Sequence, residues 1–288
     1  MSAPAVTAPT ARVRSSATRR GPGGTRTVEA FAAVAGLALG LPVLVLVARS
    51  VVDGSLTVAL TTQVVLDALA LSLVTTAVSL VATVIIGLPL ALVLAYRRFR
   101  GSWLLETLVD LPIVLPPSVA GLALLLLLGR NGLLGAPLYR LCIQLPFTTA
   151  AVVVAVTFVS APFFIRSART GFVLVDHDLE DAARADGASE RQVFRAITVP
   201  LAGTALSAGL VLSWARALGE FGATIMFAGN IAGRTQTLPL AVYGEFQAGN
   251  LDSSIAAAAI LVLAAFGVLV AVRLLHAGRV LDIGTGVG

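Results

Sequence analysis

Six stretches of apolar sequence, each long enough to cross a bilayer core as a helix of about 20 residues, leave this chain little choice of environment. They run approximately over residues 28–52, 68–95, 108–129, 146–166, 200–228 and 254–275. Hydrophobic residues make up 57% of the 288 and charged residues 12%, whereas a soluble domain is nearer one quarter charged. The expected fold class is therefore all-α: an integral membrane protein with six transmembrane helices. No polar tract is long enough to hold a separate soluble domain, so one transmembrane domain over 28–280 is expected.

Charge sets the orientation. All 20 basic residues are arginine and the net charge is +5. With the N-terminus inside, the cytosolic segments collect Arg12, Arg14, Arg19, Arg20 and Arg26, then Arg97, Arg98 and Arg100, then Arg166, Arg169, Arg184, Arg191 and Arg195, and finally Arg273 and Arg279. The outer loops keep only Arg130, Arg140 and Arg234, with Arg49 near the end of the first span and Arg216 inside the fifth. The positive-inside rule selects N-in, C-in, with 167–199 as a cytosolic loop. Residues 1–27, rich in Ala, Pro, Ser, Thr, Gly and Arg without periodicity, are expected to be a disordered cytosolic arm. The apolar run from Val28 exceeds the core of a cleaved signal peptide, so it is expected to stay as a span.

Several chemistries are excluded. Cys142 has no companion thiol, and the two histidines, His177 and His276, are isolated, so no disulfide, metal site or catalytic triad is expected. The phosphate-cradling pattern G-x-x-x-x-G-K-[ST] is absent and no lysine exists anywhere, so ATP cannot be held here. Dispersed arginines are topology signals rather than a nucleic-acid surface.

Two local patterns carry more information. Asp110-Leu-Pro-Ile-Val-Leu-Pro-Pro-Ser-Val-Ala-Gly121 opens the third span with three prolines. Each removes an amide donor and clashes with the preceding turn, so the helix must bend or break there. In lipid, freed carbonyls are tolerated only against protein or a watery cavity, which makes Pro116, Pro117 and Ser118 either lining of a pathway or a packing kink. The second pattern is the loop from Arg166 to Val199. Asp178 can cap a short helix from Leu179, and Asp186-Gly187 can end it, glycine supplying the left-handed conformation. Ser189-Glu190-Arg191-Gln192 fits a capping box opening a second helix, with Val193, Phe194 and Ile197 on one apolar face and Pro200 as its stop. The expected product is a helical hairpin on the inner face. A DNA-reading hairpin is ruled out, since tethering between two spans denies it a major groove.

The spacing Asp181-Ala182-Ala183-x3-Gly187-x9-Ile197-x-Val199-Pro200 resembles the EAA loop of the membrane-spanning permeases of type I ABC importers, with Asp for Glu and Val for Leu. The resemblance implies that fold, and a loop whose short helix docks in a groove of a separate ATP-hydrolysing subunit. It assigns coupling to Glu180, Asp181, Ala182, Ala183 and Gly187, leaving open whether Glu180 or Asp181 makes the contact. Ala217-Leu-Gly-Glu-Phe-Gly-Ala-Thr224 and Phe227-Ala-Gly-Asn-Ile-Ala-Gly-Arg-Thr-Gln-Thr-Leu-Pro-Leu240 are similar to the molybdate branch of these permeases, close to the sulfate branch. The similarity covers roughly residues 60–275. It implies a homodimer in the bacterial cytoplasmic membrane, two ABC ATPase subunits that bind ATP and magnesium, and an extracytoplasmic oxyanion-binding protein; this chain would hold no cofactor and touch lipid but no nucleic acid.

An anion cannot cross apolar helices without a hydrated cavity and opposed dipoles. Arg216 and Glu220, four apart on the fifth span, can pair with each other, fixing helix rotation rather than contacting cargo directly. Gly229, Asn230, Gly233 and Arg234 are expected to form an outer turn, where Arg234 could also meet an acidic patch on a delivering protein. Sulfate or tungstate are the rival cargoes. An ion-coupled secondary transporter would need acids within the spans, and Glu220, almost the only candidate, has Arg216 beside it.

Overall fold

The computed structural model describes residues 26–97 and 99–284, with side chains from Val28 to Val270 except Arg98. The arm expected over 1–27 thus lies outside the described residues apart from Arg26 and Thr27, as do the side chains of Arg273, His276 and Arg279. In chain order the helices are α1 (Arg26–Val52), α2 (Ser55–Thr61), α3 (Gln63–Tyr96), α4 (Ser102–Val114), α5 (Pro117–Leu128), α6 (Gly135–Arg140), α7 (Thr149–Val173), α8 (His177–Ala185), α9 (Glu190–Val193), a π-helical turn (Phe194–Thr198), α10 (Val199–Leu218), α11 (Gly222–Phe227), α12 (Leu238–Gln247) and α13 (Leu251–Gly284). Among the described residues there is no strand.

Five helices are long and apolar enough to cross a membrane: Val28–Val52, Gln63–Tyr96, Thr149–Val173, Glu190–Leu218 and Leu251–Val270. Helices α4 and α5 pass the same test of length and apolarity only as a pair, bent by 118° into a broken span or a re-entrant loop, which makes the crossings five or six. The proline run causes the bend: the helix stops at Val114, Leu115 is extended, Pro116 caps α5 and Pro117 occupies its first turn, where a missing N–H costs nothing.

The chain divides after Val45 into two units. The first contributes the apolar length of α1. In the second, α3 and α10 both pack along α7. Without water to drive burial, helices in lipid associate through close packing and interhelical hydrogen bonds, and the seams here have that chemistry. Ala91, Ala168 and Ala202 are buried beside Phe164 and Phe172. A Cβ on Gly171 of α7 would lie 2.6 Å from Ala205 Cβ of α10, so the two backbones meet at glycine distance. Hydroxyls bridge the same seams: Ser167 Oγ donates to Ala205 O at 2.7 Å, Ser213 Oγ to Ser160 O at 3.0 Å and Ser79 Oγ to Val153 O at 3.2 Å.

Four sequence expectations need correcting. Helix α7 runs on to Val173, beyond 166, because Arg166 Nε reaches Asp110 Oδ1 at 2.5 Å and Arg169 Nη2 reaches Glu106 Oε1 at 2.8 Å, tying its charged end to α4. The apolar run 200–228 is not one helix: α10 stops at Leu218 and α11 restarts at Gly222. Asp176, not Asp178, caps the hairpin's first helix, accepting from Asp178 N at 3.0 Å, so the helix starts at His177. Pro200 does not close the second helix. The turn before it is widened, with the Val199 N–H bonded to Phe194 O five residues back, and the helix continues into α10 with Pro200 in its first turn.

Candidate functional site

The hairpin between α7 and α10 is built as its residues dictate. Helix α8 carries Asp178 and Glu180 in its first turn and Arg184 in its last, signs that complement the helix dipole. Gly187 follows at φ +90 with open space where a Cβ would stand, so it is backbone conformation rather than crowding that requires glycine. Ser189 and Gln192 form the capping box, Ser189 N donating to Gln192 Oε1 at 2.8 Å. Arg184 clasps the two helices, Nη1 to Asp181 Oδ1 at 2.7 Å and Nε to Glu190 Oε1 at 2.8 Å. Its pKa is raised, chiefly by the Glu190 bond.

The two adjacent acids have opposite surroundings. The Glu180 side chain is 3% exposed and that of Asp181 73%. Glu180 Oε1 accepts from Tyr96 Oη at 3.1 Å and from the Thr198 hydroxyl, while Oε2 lies 3.2 Å from His177 Nδ1 and 4.0 Å from Arg184 Nη2. Burial works to raise the Glu180 pKa, but the bonds from Thr198, His177 and Tyr96 and the Arg184 charge outweigh it and hold the carboxyl below its ordinary value. Of the five residues that the resemblance assigns to coupling, Asp181 and Ala182 are exposed, Ala183 is half-buried and Gly187 stands at the exposed turn. Sequence reasoning placed Glu180 correctly in the hairpin but missed Tyr96 and Thr198, which no local pattern connects to it; Tyr96 is 84 residues away.

The second constellation lies at the break between α10 and α11. Arg216 Nη2 is 2.6 Å from Glu220 Oε2, the pairing expected from their spacing. Glu220 Oε1 also accepts from Ala223 N at 2.6 Å, so the same carboxylate caps α11. The start of α5 packs against the start of α11: a Cβ on Gly222 would be 2.8 Å from Pro117 Cβ and 3.1 Å from Ser118 N, and one on Gly121 would be 2.5 Å from Ala223 O. Pro117 and Ser118 are thus brought beside the segment that Glu220 organises, while Pro116, Pro117 and Ser118 keep exposed surface. Two helix N-termini converge here next to a half-buried arginine.

Asn230 and Arg234 sit apart, in a turn where Gly229 and Gly233 have φ +73 and +70. Asn230 Nδ2 donates to Leu240 O at 3.2 Å and Thr149 Oγ1 to Arg234 O at 2.8 Å, so the turn is braced on α12 and α7 while the Arg234 side chain is exposed. Among the described residues no cluster of His, Cys, Asp and Glu has the makings of a metal site.

The chain is 44% identical over 198 residues to the molybdenum transport system permease protein ModB of Mycobacterium tuberculosis, covering 69% of this chain and 75% of that protein. It is 36% identical over 192 residues to the sulfate transport system permease protein CysT of Salmonella typhimurium, covering 67% and 69%. Among solved structures, a bacterial ABC transporter involved in the import of the acidic polysaccharide alginate shares the fold, with a TM-score of 0.62 at 16% identity over 88% of this chain and 97% of that one. Matched over residues 87–279, the chain belongs to the family of binding-protein-dependent transport system inner membrane components.

Proposed function

We propose that this chain is the permease subunit of an ATP-driven importer that carries molybdate across the bacterial cytoplasmic membrane by alternating access. The observation that carries the cargo is the 44% identity to a molybdenum permease over most of both chains. The mechanism rests on the hairpin. Asp181 and Ala182 present a small, acidic, outward face on a helix whose other side is fastened to the spans, which suits the groove of a separate ATPase. Lacking any lysine or phosphate cradle, the chain leaves ATP and magnesium to that partner.

Two copies of the chain, two ATPases and an extracytoplasmic binding protein complete the assembly, the last in keeping with the family's dependence on such proteins. The permease domain spans 28–280, with 1–27 as a cytosolic arm and, within the expected loop 167–199, the hairpin that follows Val173 as the coupling segment. Beside the break at Glu220, Pro116, Pro117 and Ser118 at the start of α5 keep exposed surface and line the pathway on that side. Arg216 is committed to Glu220 and orients the helix break. Asn230 and Arg234 form the outer turn available to the delivering protein.

Sulfate is the second reading, favoured by the 36% identity to a sulfate permease. Uptake of labelled molybdate into cells expressing the complete transporter, with sulfate and tungstate as competitors, separates the two. Molybdate uptake that resists excess sulfate is the expected result, and efficient suppression by sulfate would overturn the cargo assignment.

A further inference from the structure

We infer that Tyr96, Glu180 and Thr198 form a transmission latch: positioning residues that oblige the coupling helix α8 to move with the inner ends of α3, α7 and α10, rather than slide beneath them. The inference rests on the reading of the hairpin as the ATPase docking element.

Three elements converge on one carboxylate. Tyr96 is the last residue of α3, Thr198 the last of the π-helical turn leading into α10, and Glu180 lies in the first turn of α8. The Tyr96 ring extends the tie to α7, with its centroid 6.5 Å from that of Phe172, which is fully buried. On the other side it meets the His177 ring edge-on at 5.3 Å. Most of the hydrogen bonding on Glu180 comes from neutral hydroxyls, and its nearest arginine is 4.0 Å away. A buried carboxylate loses much of its solvation, so donors held at fixed positions are needed to retain it, and displacing α8 by a few ångströms would strand the charge.

The irregular turn supports the same assignment. Val193 and Thr198 are both buried although five residues apart, a spacing that an unbroken α-helix would set about 140° apart around the axis. The wider π turn draws them toward one side, which lets Val193 pack inward while Thr198 reaches Glu180. A loop that merely connected two spans would need neither the widened turn nor a buried acid.

The test uses the complete transporter in proteoliposomes, with molybdate imported per ATP hydrolysed as the readout. Tyr96→Phe and Thr198→Val each delete one hydroxyl and keep the shape. Each is expected to leave ATP hydrolysis within about twofold of wild type and to lower the import ratio about three- to tenfold, the range expected when one link in a coupling network is cut. Thr198→Ser, which keeps the hydroxyl, should restore the ratio. A purely structural role would reduce the amount of assembled complex while leaving the ratio of the survivors unchanged; that result, or an unchanged ratio at full assembly, overturns the latch. A wild-type complex with no ATP-dependent import would instead sink the underlying docking reading, and the latch with it.

Discussion

Two buried glutamates, both about 2% exposed, are satisfied in opposite ways. Glu180 is held from afar, by Tyr96 from α3 and Thr198 from the turn before α10, with His177 its neighbour on α8. Glu220 is held locally, by Arg216 one turn before it and by the Ala223 amide three residues after it. The first carboxylate therefore ties separate elements together, and the second shapes one element by ending α10 and starting α11. Removing the first should change how parts move relative to one another; removing the second should change whether the part forms at all.

The sharpest break in that comparison is Glu220→Ala. It leaves Arg216 without its counter-charge and α11 without its cap, and stripping one partner from a buried ion pair costs about 3–5 kcal/mol. The expected outcome is a large loss of folded protein in the membrane, read as the monodisperse fraction after detergent extraction. Replacing both residues by apolar ones should recover part of it, since no charge is then stranded. Equal losses in the single and double variants would show that the cap, not the pair, carries the stability.

Glycine substitutions separate the regions next. A Cβ on Gly121 would stand 2.5 Å from Ala223 O and 2.8 Å from Met226 Cβ, and backbone cannot step aside. Gly121→Ala should therefore push α5 off α11 at a cost of about 1–3 kcal/mol, visible as a lower thermal midpoint. Gly187 has nothing within 4 Å but holds φ +90. Gly187→Val forces an L-residue into left-handed backbone at about 1–2 kcal/mol, confined to the hairpin. Here the thermal midpoint should move little while transport per ATP collapses; retention of full uptake would count against the hairpin as the coupling element.

Local chemistry was legible in the sequence, and distant pairing was not. The proline run announced the break between α4 and α5, the i,i+4 spacing announced Arg216 with Glu220, and Ser189 with Gln192 announced its capping box, because each depends on residues within one turn of each other. The continuity of the helix through Pro200 was hidden: a single widened turn leaves no compositional mark. The role of Glu180 was hidden for a related reason. Beside Asp181 it reads as a second surface acid, and only the packing of α3 against α7 brings Tyr96 to it. Likewise the apolar run 200–228 does not mark its break: Glu220 with Arg216 one turn before it is compatible with a continuous span, and α11 starts where the Glu220 carboxylate accepts from Ala223 N.

Arg184 supplies the mildest probe of the comparison. It joins Asp181 and Glu190 at good distance, yet all three side chains reach solvent, where an ion pair gains little over hydrated charges. Arg184→Gln should shift the thermal midpoint by less than about 2 °C. The pH response follows from the directions of the two shifts. Arg184, with its pKa raised, contributes fully below its unfolded value and loses that contribution only as pH rises through the folded one, far above neutrality. Glu180, with its pKa lowered, contributes above its unfolded value of about 4.3 and loses it only as pH falls through the lower folded one. Hydrogen-exchange protection of α8 should thus stay flat through the neutral range and fall only in acid, in wild type and in Arg184→Gln alike. A fall near neutral pH would mean that the hydroxyls of Tyr96 and Thr198 do not hold the Glu180 carboxyl below its ordinary value.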